Sequence, residues 1–389
     1  MTTKYDAIVI GAGSVGVPIT YFLSEKGYKV LCLEKRHSSG QGQNKSAIGG
    51  VRATHSDPAK IKICQKSLEI FTNWEKNHGM SVGWKSGGYC FPVFDNRVEG
   101  ILKGILPIQK KFDLNIDWVE PDMVKEIVPG INPHDLRGGT YSPDDGQVSP
   151  LKAIEAMEKA ARDNGAVFQF GTGVTGLEVD GSNYRLDSVS TEKDRFTADI
   201  VVNASGAHAR ELGHMIGLNI PVIPESHEAG ISAPVKPFLG PLVVDLRPGP
   251  EGKTVNFYFG QNHDHGIIFC YTPKVPLLGL DRRTTSEFMP IIANRLVSLI
   301  PRLKNLTVRR IWRGLYPMTP DGVAIVGKAP GFVNHYLAVG MCGQGFMMGP
   351  GVGYELANLI DTGKTEMSSD IFNMLNPKRD FTGKVEALK

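Results

Sequence analysis

The chain lacks the features that mark several large classes of protein. Its five cysteines, Cys32, Cys64, Cys90, Cys270 and Cys342, are scattered over 389 residues and form no CxxC pair. That excludes a disulfide framework or a cysteine-built zinc site and points to a reducing, cytoplasmic setting. No stretch approaches the roughly 18 consecutive apolar residues of a membrane span. There is no block of like charge either: 43 basic and 40 acidic residues are spread along the chain, for a net charge of +3. Nucleic acid is therefore not an expected partner. Only Met1, Thr2, Thr3 and Lys4 precede the first apolar run, too few for a secretory leader. His263 and His265 read as a loop or strand edge, and no metal is expected. Internal repeats and low-complexity tracts are absent. What remains is an ordinary globular composition, 41% hydrophobic and 21% charged, long enough for two domains.

What is present begins at residue 5. Tyr5-Asp6-Ala7-Ile8-Val9-Ile10 has the apolar character of a buried parallel strand and runs into Gly11-Ala12-Gly13-Ser14-Val15-Gly16. Residues 17–26 have helical spacing, residues 28–33 form a second strand, and Glu34 follows it. In such a turn Gly11 permits the bend, Gly13 lets the backbone approach a pyrophosphate, and Gly16 lets helix and sheet pack closely. The helix N-terminus offers N–H groups to the phosphates. Glu34 is placed to accept hydrogen bonds from an adenosine ribose, and its charge argues against a 2′-phosphate. Strand, glycines, helix, strand and acid together define a dinucleotide site.

Two further strands end in small-residue turns, near residues 204 and 340. Nicotinamide dehydrogenases usually keep their dinucleotide domain contiguous; a late glycine-rich strand–helix crossover returning to the first turn points to a flavin-containing domain. The expected fold is α/β. A Rossmann-type FAD-binding domain is assembled from residues 1–85, 145–220 and 325–365. An inserted α+β substrate domain, centred on a mixed antiparallel sheet, takes residues 86–144 and 221–324. Residues 366–389 form a C-terminal tail. Helices are expected over residues 58–77, 97–112, 121–128, 151–164, 285–300 and 349–359, with residues 141–150 as a loop.

The layout resembles the D-amino-acid-oxidase-like flavoenzymes, in particular the branch holding sarcosine oxidases and the FAD-carrying beta subunits of dye-linked L-proline dehydrogenases. The motifs that carry the likeness span nearly the whole chain. They are residues 8–16 with Glu34-Lys35, residues 46–52, Asp145-Gly146 with Pro150, and residues 201–207. Pro317-Met318-Thr319-Pro320-Asp321 and Gly343-Gln344-Gly345-Phe346-Met347-Met348 are the most specific. The resemblance implies non-covalent FAD held by Gly11, Gly13, Ser14, Val15, Gly16, Glu34 and Lys35 at the first turn. Lys45, Ser46 and Ala47 would wrap the flavin, with Val174, Ala204 and Gly206 contributing from the middle of the chain. Gly343, Gly345, Phe346 and Met347 would close the site. It further implies oxidation of a secondary or N-methylated amino acid, of sarcosine or proline type, by hydride transfer to flavin N5, giving an imine that water hydrolyses. Arg52, Tyr258 and Met347 are the candidate substrate-site residues, and a second subunit or redox protein is a candidate electron acceptor.

Three departures from that family refine the expectation. Gly314 stands where monomeric sarcosine oxidases tether FAD through cysteine. Ile268 stands where they carry an oxygen-activating lysine, which favours a dehydrogenase over an oxidase. Met347 stands where they hold the substrate carboxylate with lysine, which passes that task to Arg52 or another cation. Arg52 has an equally open reading as a brace for the flavin loop, and Lys45 as a solvated loop lysine. Tyr258 and Tyr271 either cap the substrate or fill the sheet. His208 reads as a hydrogen-bonded helix-start residue, and Cys342 is the cysteine placed nearest chemistry. The competing functions are a flavoprotein for a primary amino acid or 2-hydroxy acid, and a non-catalytic FAD-bearing subunit.

Overall fold

The computed structural model describes residues 4–181 and 184–382; Met1 to Thr3 and the last seven residues of the tail lie outside them. Its first sheet is organised around Lys4–Ile10, whose last four residues are all buried, as befits a strand covered on both faces. Val30–Leu33 and then Val167–Gln169 lie in parallel on one side. Arg195–Asn203 and then His335–Val339 lie in parallel on the other. The antiparallel Ile325–Lys328 closes that edge, and the hairpin Val174–Asp180 with Arg185–Thr191 extends from the base of Arg195–Asn203. The chain therefore leaves Lys4–Ile10 in one direction and returns beside it from the other. Such a switch point opens a crevice at the carboxyl ends of the strands.

The second sheet is also eight-stranded. Its order is Val308–Met318, Ile223–Pro234, Gly266–Pro273, Thr254–Gln261, Leu242–Asp245, Tyr89–Val93, Gly138–Ser142 and Asp117–Val119. Every pairing is antiparallel except Leu242–Asp245 with Tyr89–Val93. Strand alternation divides this sheet into two faces. Phe257, Phe259, Ile267, Phe269 and Tyr271 pack with Phe288, Ile292 and Leu296 of the helix Phe288–Leu299 on one face. The opposite face turns toward the first sheet. Residues 141–150, read from sequence as a loop, instead contribute the end of Gly138–Ser142 and the strand Gly146–Gln147. The latter joins Gly50–Val51 and Lys85–Ser86 in a three-stranded sheet. Glycine, aspartate and proline in that stretch conceal strands this short.

The helices start and stop for local reasons. Pro58–His78 begins where Asp57 accepts the Lys60 N–H at 2.9 Å and ends at Gly79, which is left-handed at φ 68°. Asp95 caps Asn96–Lys111 through the Val98 N–H. The C-terminal helix Gly345–Thr362 depends on small residues. A β-carbon at Gly349 would lie 1.8 Å from Ser14 O, one at Gly353 2.8 Å from the Pro18 backbone, and one at Gly351 2.2 Å from Ile63 O. The helix is thus wedged between Gly16–Glu25 and Pro58–His78 at backbone contact. Gly351→Ala should destabilise the protein by about 1–3 kcal/mol through overpacking. Gly104→Ala, where a β-carbon in the helix Asn96–Lys111 meets nothing within 4 Å, should stabilise it by roughly 0.5–1 kcal/mol. Chemical denaturation of the two variants checks the opposite signs.

Candidate active site

The three glycines of the first turn have separate physical roles. Gly11 has φ 106°, and a β-carbon there would sit 2.7 Å from Ala204 O; one at Gly16 would sit 1.7 Å from Gly11 O. Both are demanded by the fold. A β-carbon at Gly13 meets nothing within 4 Å, so its absence preserves open space above the turn. The helix Gly16–Glu25 follows without a side-chain cap and with no acid in its first turn, leaving the N-terminal field uncompensated. Glu34 is buried; its Oε2 accepts the Ala12 N–H at 2.9 Å and its Oε1 the Arg36 N–H at 2.8 Å. The carboxylate therefore pins the glycine turn to the end of the second strand. Lys35 and Lys45 are exposed, and Lys45 Nζ donates to Gln41 Oε1 at 3.1 Å. Val174 opens its hairpin against the apolar cluster beneath the first two strands, and Ala204, whose N–H donates to Ile10 O, packs against the first turn. Gly206 is left-handed at φ 58°.

The second glycine-rich entrance lies against the first. Gly345 approaches Ser14 Oγ, with 3.8 Å left for a β-carbon, and the N-terminus of its long helix also lacks both a side-chain cap and a first-turn acid. Two helix N-termini thus converge near Ser14. Phe346 commits its ring to the core, stacked on Phe71 at 5.6 Å, while Met347 is partly buried against the same cluster. Cys342 is buried and left-handed at φ 52°, its thiol directed to Gly340 O at 3.4 Å.

Opposite these turns stands the inner face of the second sheet. Tyr258 and Tyr316 join their hydroxyls at 2.7 Å, and His227 stacks on the Tyr316 ring at 3.9 Å. Cys270 is linked to both phenols, and burial pushes its thiol up to about 12. Burial also lifts both phenols well above their ordinary value, so they remain protonated at neutral pH. Ile268, two residues from Cys270, shares this face and is buried. Tyr271 does not: it packs on Phe288 at 5.2 Å on the far face, which removes it as a substrate cap. A β-carbon at Gly343 would lie 2.6 Å from the Tyr316 ring, and one at Gly50 1.9 Å from the Tyr89 hydroxyl. At Gly314 a β-carbon would strike the Ser46 Cβ at 2.8 Å, while Trp312 Nε1 donates to Ser46 O at 3.0 Å. The segment around Ser46 and the sheet therefore touch at residues small enough to allow close approach.

Arg52 is buried beneath this face. It donates to Thr54 O and lies 5.6 Å from the Phe91 ring centre. Beside it Asp145 accepts the Ala53 N–H at 2.9 Å and the Thr54 hydroxyl at 2.8 Å. Burial pushes Asp145 up to about 6, against those hydrogen bonds and the charge of Arg52. His208 bonds Glu211 at 2.8 Å near its helix start, as expected. Sequence reasoning missed the His227–Tyr316–Cys270 cluster. The available signal was alternation, since His227 and Gly314 are register partners, as are Ala229 and Cys270.

A dinucleotide-linked flavin fits these residues. The space above Gly13 is open, and Asn44 Oδ1 and Gln344 Oε1 are buried acceptors without a donor. Among the described residues no cluster of histidine, cysteine or acid suits a metal ion, and no helix is long and apolar enough to cross a membrane.

A parallel sheet with its glycine turn at the switch point, facing an aromatic sheet wall, defines a flavin-dependent oxidoreductase. The chain belongs to the FAD dependent oxidoreductase family, which matches residues 6–359. It is 26% identical to human mitochondrial dimethylglycine dehydrogenase over 92% of its own length. It spans only 42% of that relative, well under half. Glycine oxidase of Geobacillus kaustophilus is 25% identical, over 96% of this chain and 97% of the other. Among solved structures, L-proline dehydrogenase from P. horikoshii superposes with a TM-score of 0.91 at 30% identity, covering 99% of this chain and all of the other.

Two outcomes follow from the geometry. Gly13→Val should leave folding intact but abolish FAD retention, because its side chain enters only the space above the turn. A melting temperature that collapses with the yellow colour would contradict this. Asp145, raised in the folded state above its unfolded value of about 4, binds an extra proton between about pH 4 and 6. Its contribution to stability is present below that window and lost as pH rises through it. Asp145→Asn should flatten the stability profile there, measured by urea unfolding across the same pH range.

Proposed function

We propose that the protein is an FAD-dependent dehydrogenase of a secondary or N-methylated amino acid of sarcosine or proline type. The observation that carries the reading is a buried cation, Arg52, beneath a sheet wall that sets the Tyr258–Tyr316 pair against two converging helix N-termini. The names of the relatives support it: dimethylglycine, glycine and proline are all amino acids. We assign cofactor binding to residues 1–85, 145–220 and 325–365, and the substrate wall to 86–144 and 221–324.

FAD, when bound, supplies the acceptor for the hydride. The residues of the chain do the rest. Arg52 orients the carboxylate by a charge-assisted hydrogen bond. Tyr258 and Tyr316, held protonated by burial, donate hydrogen bonds and close the pocket. Met347 lines it from the helix entrance. No side chain needs to take a proton if the amine binds neutral, and water hydrolyses the released imine. Non-covalent attachment is supported by Gly314, since the space a tethering side chain would need is filled by Ser46. The dehydrogenase reading is supported by Ile268, because an apolar residue offers no charge to stabilise reduced oxygen species. The near full-length likeness to a glycine oxidase favours a second reading, a primary amino acid. Released ammonia, in place of a smaller amine or a cyclic imine, would decide for it.

Anaerobic mixing with sarcosine, dimethylglycine, L-proline and glycine should bleach the flavin absorbance near about 450 nm with one of the first three. Bleaching by none of the four would end this reading. Arg52→Ala should weaken substrate binding by on the order of 2–5 kcal/mol while FAD content changes little. Equal loss of both would make Arg52 a brace. Stopped-flow mixing of the reduced enzyme with oxygen should give reoxidation slower than dye-coupled turnover.

A further inference from the structure

The segment between Gly266–Pro273 and Phe288–Leu299 exposes a run of large apolar side chains that the fold does not need. Val275 is 74% exposed, Leu277 40%, Leu278 66% and Leu280 44%. This is not a loose loop. Leu277 O accepts the Ser226 N–H at 2.8 Å, the Gly279 N–H donates to Pro224 O at 2.8 Å, and Leu278 forms a bridge with Glu225. The backbone is held along the strand Ile223–Pro234, where Ile223 is itself 47% exposed. Solvent-facing leucines on a fixed backbone mark an interaction surface more than a folding remnant.

Directly after this run the chain becomes cationic. Arg282 donates to Arg313 O at 3.3 Å and to Ser46 Oγ at 3.4 Å, which ties the segment to the flavin loop beside Gly314. Arg283 is 90% exposed, and Arg310 is exposed near the Trp312 ring. A cavity of about 560 Å³ opens among Arg282, Arg283, Thr284, Ile311, Trp312 and Arg313. Partial desolvation, and after it the charges of Arg282, Arg36 and Arg310, draw the Lys45 ammonium below its usual value. Asp281 is spent on Arg283.

We propose that residues 275–283 form the docking surface for an acidic redox protein, whose apolar centre covers Val275, Leu278 and Leu280 and whose carboxylates meet Arg282, Arg283 and Arg310. A second copy of this chain is the poorer occupant, because a two-fold contact would set these arginines against their own images. The proposal rests on the dehydrogenase reading, which requires an acceptor other than oxygen. Oxidising one amine to its imine releases two electrons and two protons; the docked protein takes the electrons and solvent takes the protons. The tie from Arg282 to Ser46 puts the partner next to the cofactor loop.

The test is calorimetric titration of the full FAD-loaded chain with oxidised flavodoxin, an acidic redox protein, and separately with basic cytochrome c. Flavodoxin should bind at about 50 mM salt and weaken about tenfold or more at about 300 mM, where the Debye length falls. Leu278→Asp and Arg283→Asp should each weaken it at least about tenfold while FAD content and amine-driven bleaching stay at the wild-type level. No flavodoxin binding at low salt, equal binding of cytochrome c, or affinity unmoved by both variants overturns the proposal. Sedimentation as a dimer that Leu278→Asp dissociates would assign the surface to a second copy instead. Failure of every amine to bleach the flavin would sink the dehydrogenase reading, and the binding result would still be read on its own.

Discussion

Everything at the centre of this molecule depends on backbones approaching at distances a side chain would forbid. The Ser14 carbonyl lies where a β-carbon on Gly349 would be, the Gly11 carbonyl where one on Gly16 would be, and Ile63 O where one on Gly351 would be. These contacts draw the first turn, the helix Pro58–His78 and the C-terminal helix together, although they lie far apart in sequence. Burial of the surrounding apolar cluster supplies the driving force. The glycines decide where that force is allowed to act. Convergence of two uncapped helix N-termini is a by-product of this packing, and it creates a positive field without a charged side chain.

The same economy governs the join between the sheets. Gly314 against Ser46, Gly343 against Tyr316 and Gly50 against Tyr89 are places where one side gives up its side chain so that the other can fill the space. The aromatic wall is thereby brought to the mouth of the cofactor turn. Tyr258, Tyr316, His227 and Cys270 hold one another there, and Arg52 is fixed below through Thr54. Rigidity of this kind suits a site in which the cofactor carries the chemistry and the protein supplies position.

Much of the cofactor side was legible in the sequence because its determinants are local. Strand, glycine turn, helix and acid occur within 30 residues, and each leaves a mark in residue type. Glu34 was legible as an acid closing the second strand; its bonds to the Ala12 and Arg36 amides were not, since they depend on the turn's tertiary shape. The inner face of the second sheet was harder. Tyr258 was noticed and Tyr316 was not, though they share one hydrogen bond, because their pairing passes through two intervening strands. Tyr271 and Tyr258 looked alike in sequence and fell on opposite faces, a matter of strand register. The strand Gly146–Gln147 was invisible because two residues carry no periodicity.

The parallel sheet also sets the order in which the chain can become a protein. Lys4–Ile10 finds Val30–Leu33 close by in sequence, but its other edge waits for Arg195–Asn203, and that strand in turn waits for His335–Val339. Until Arg195–Asn203 has been made, the largely buried strand Lys4–Ile10 keeps an unpaired edge. Non-local pairing of this kind slows folding and leaves edges open to other chains. The discontinuity of this sheet thus makes the nascent chain a natural client for chaperones.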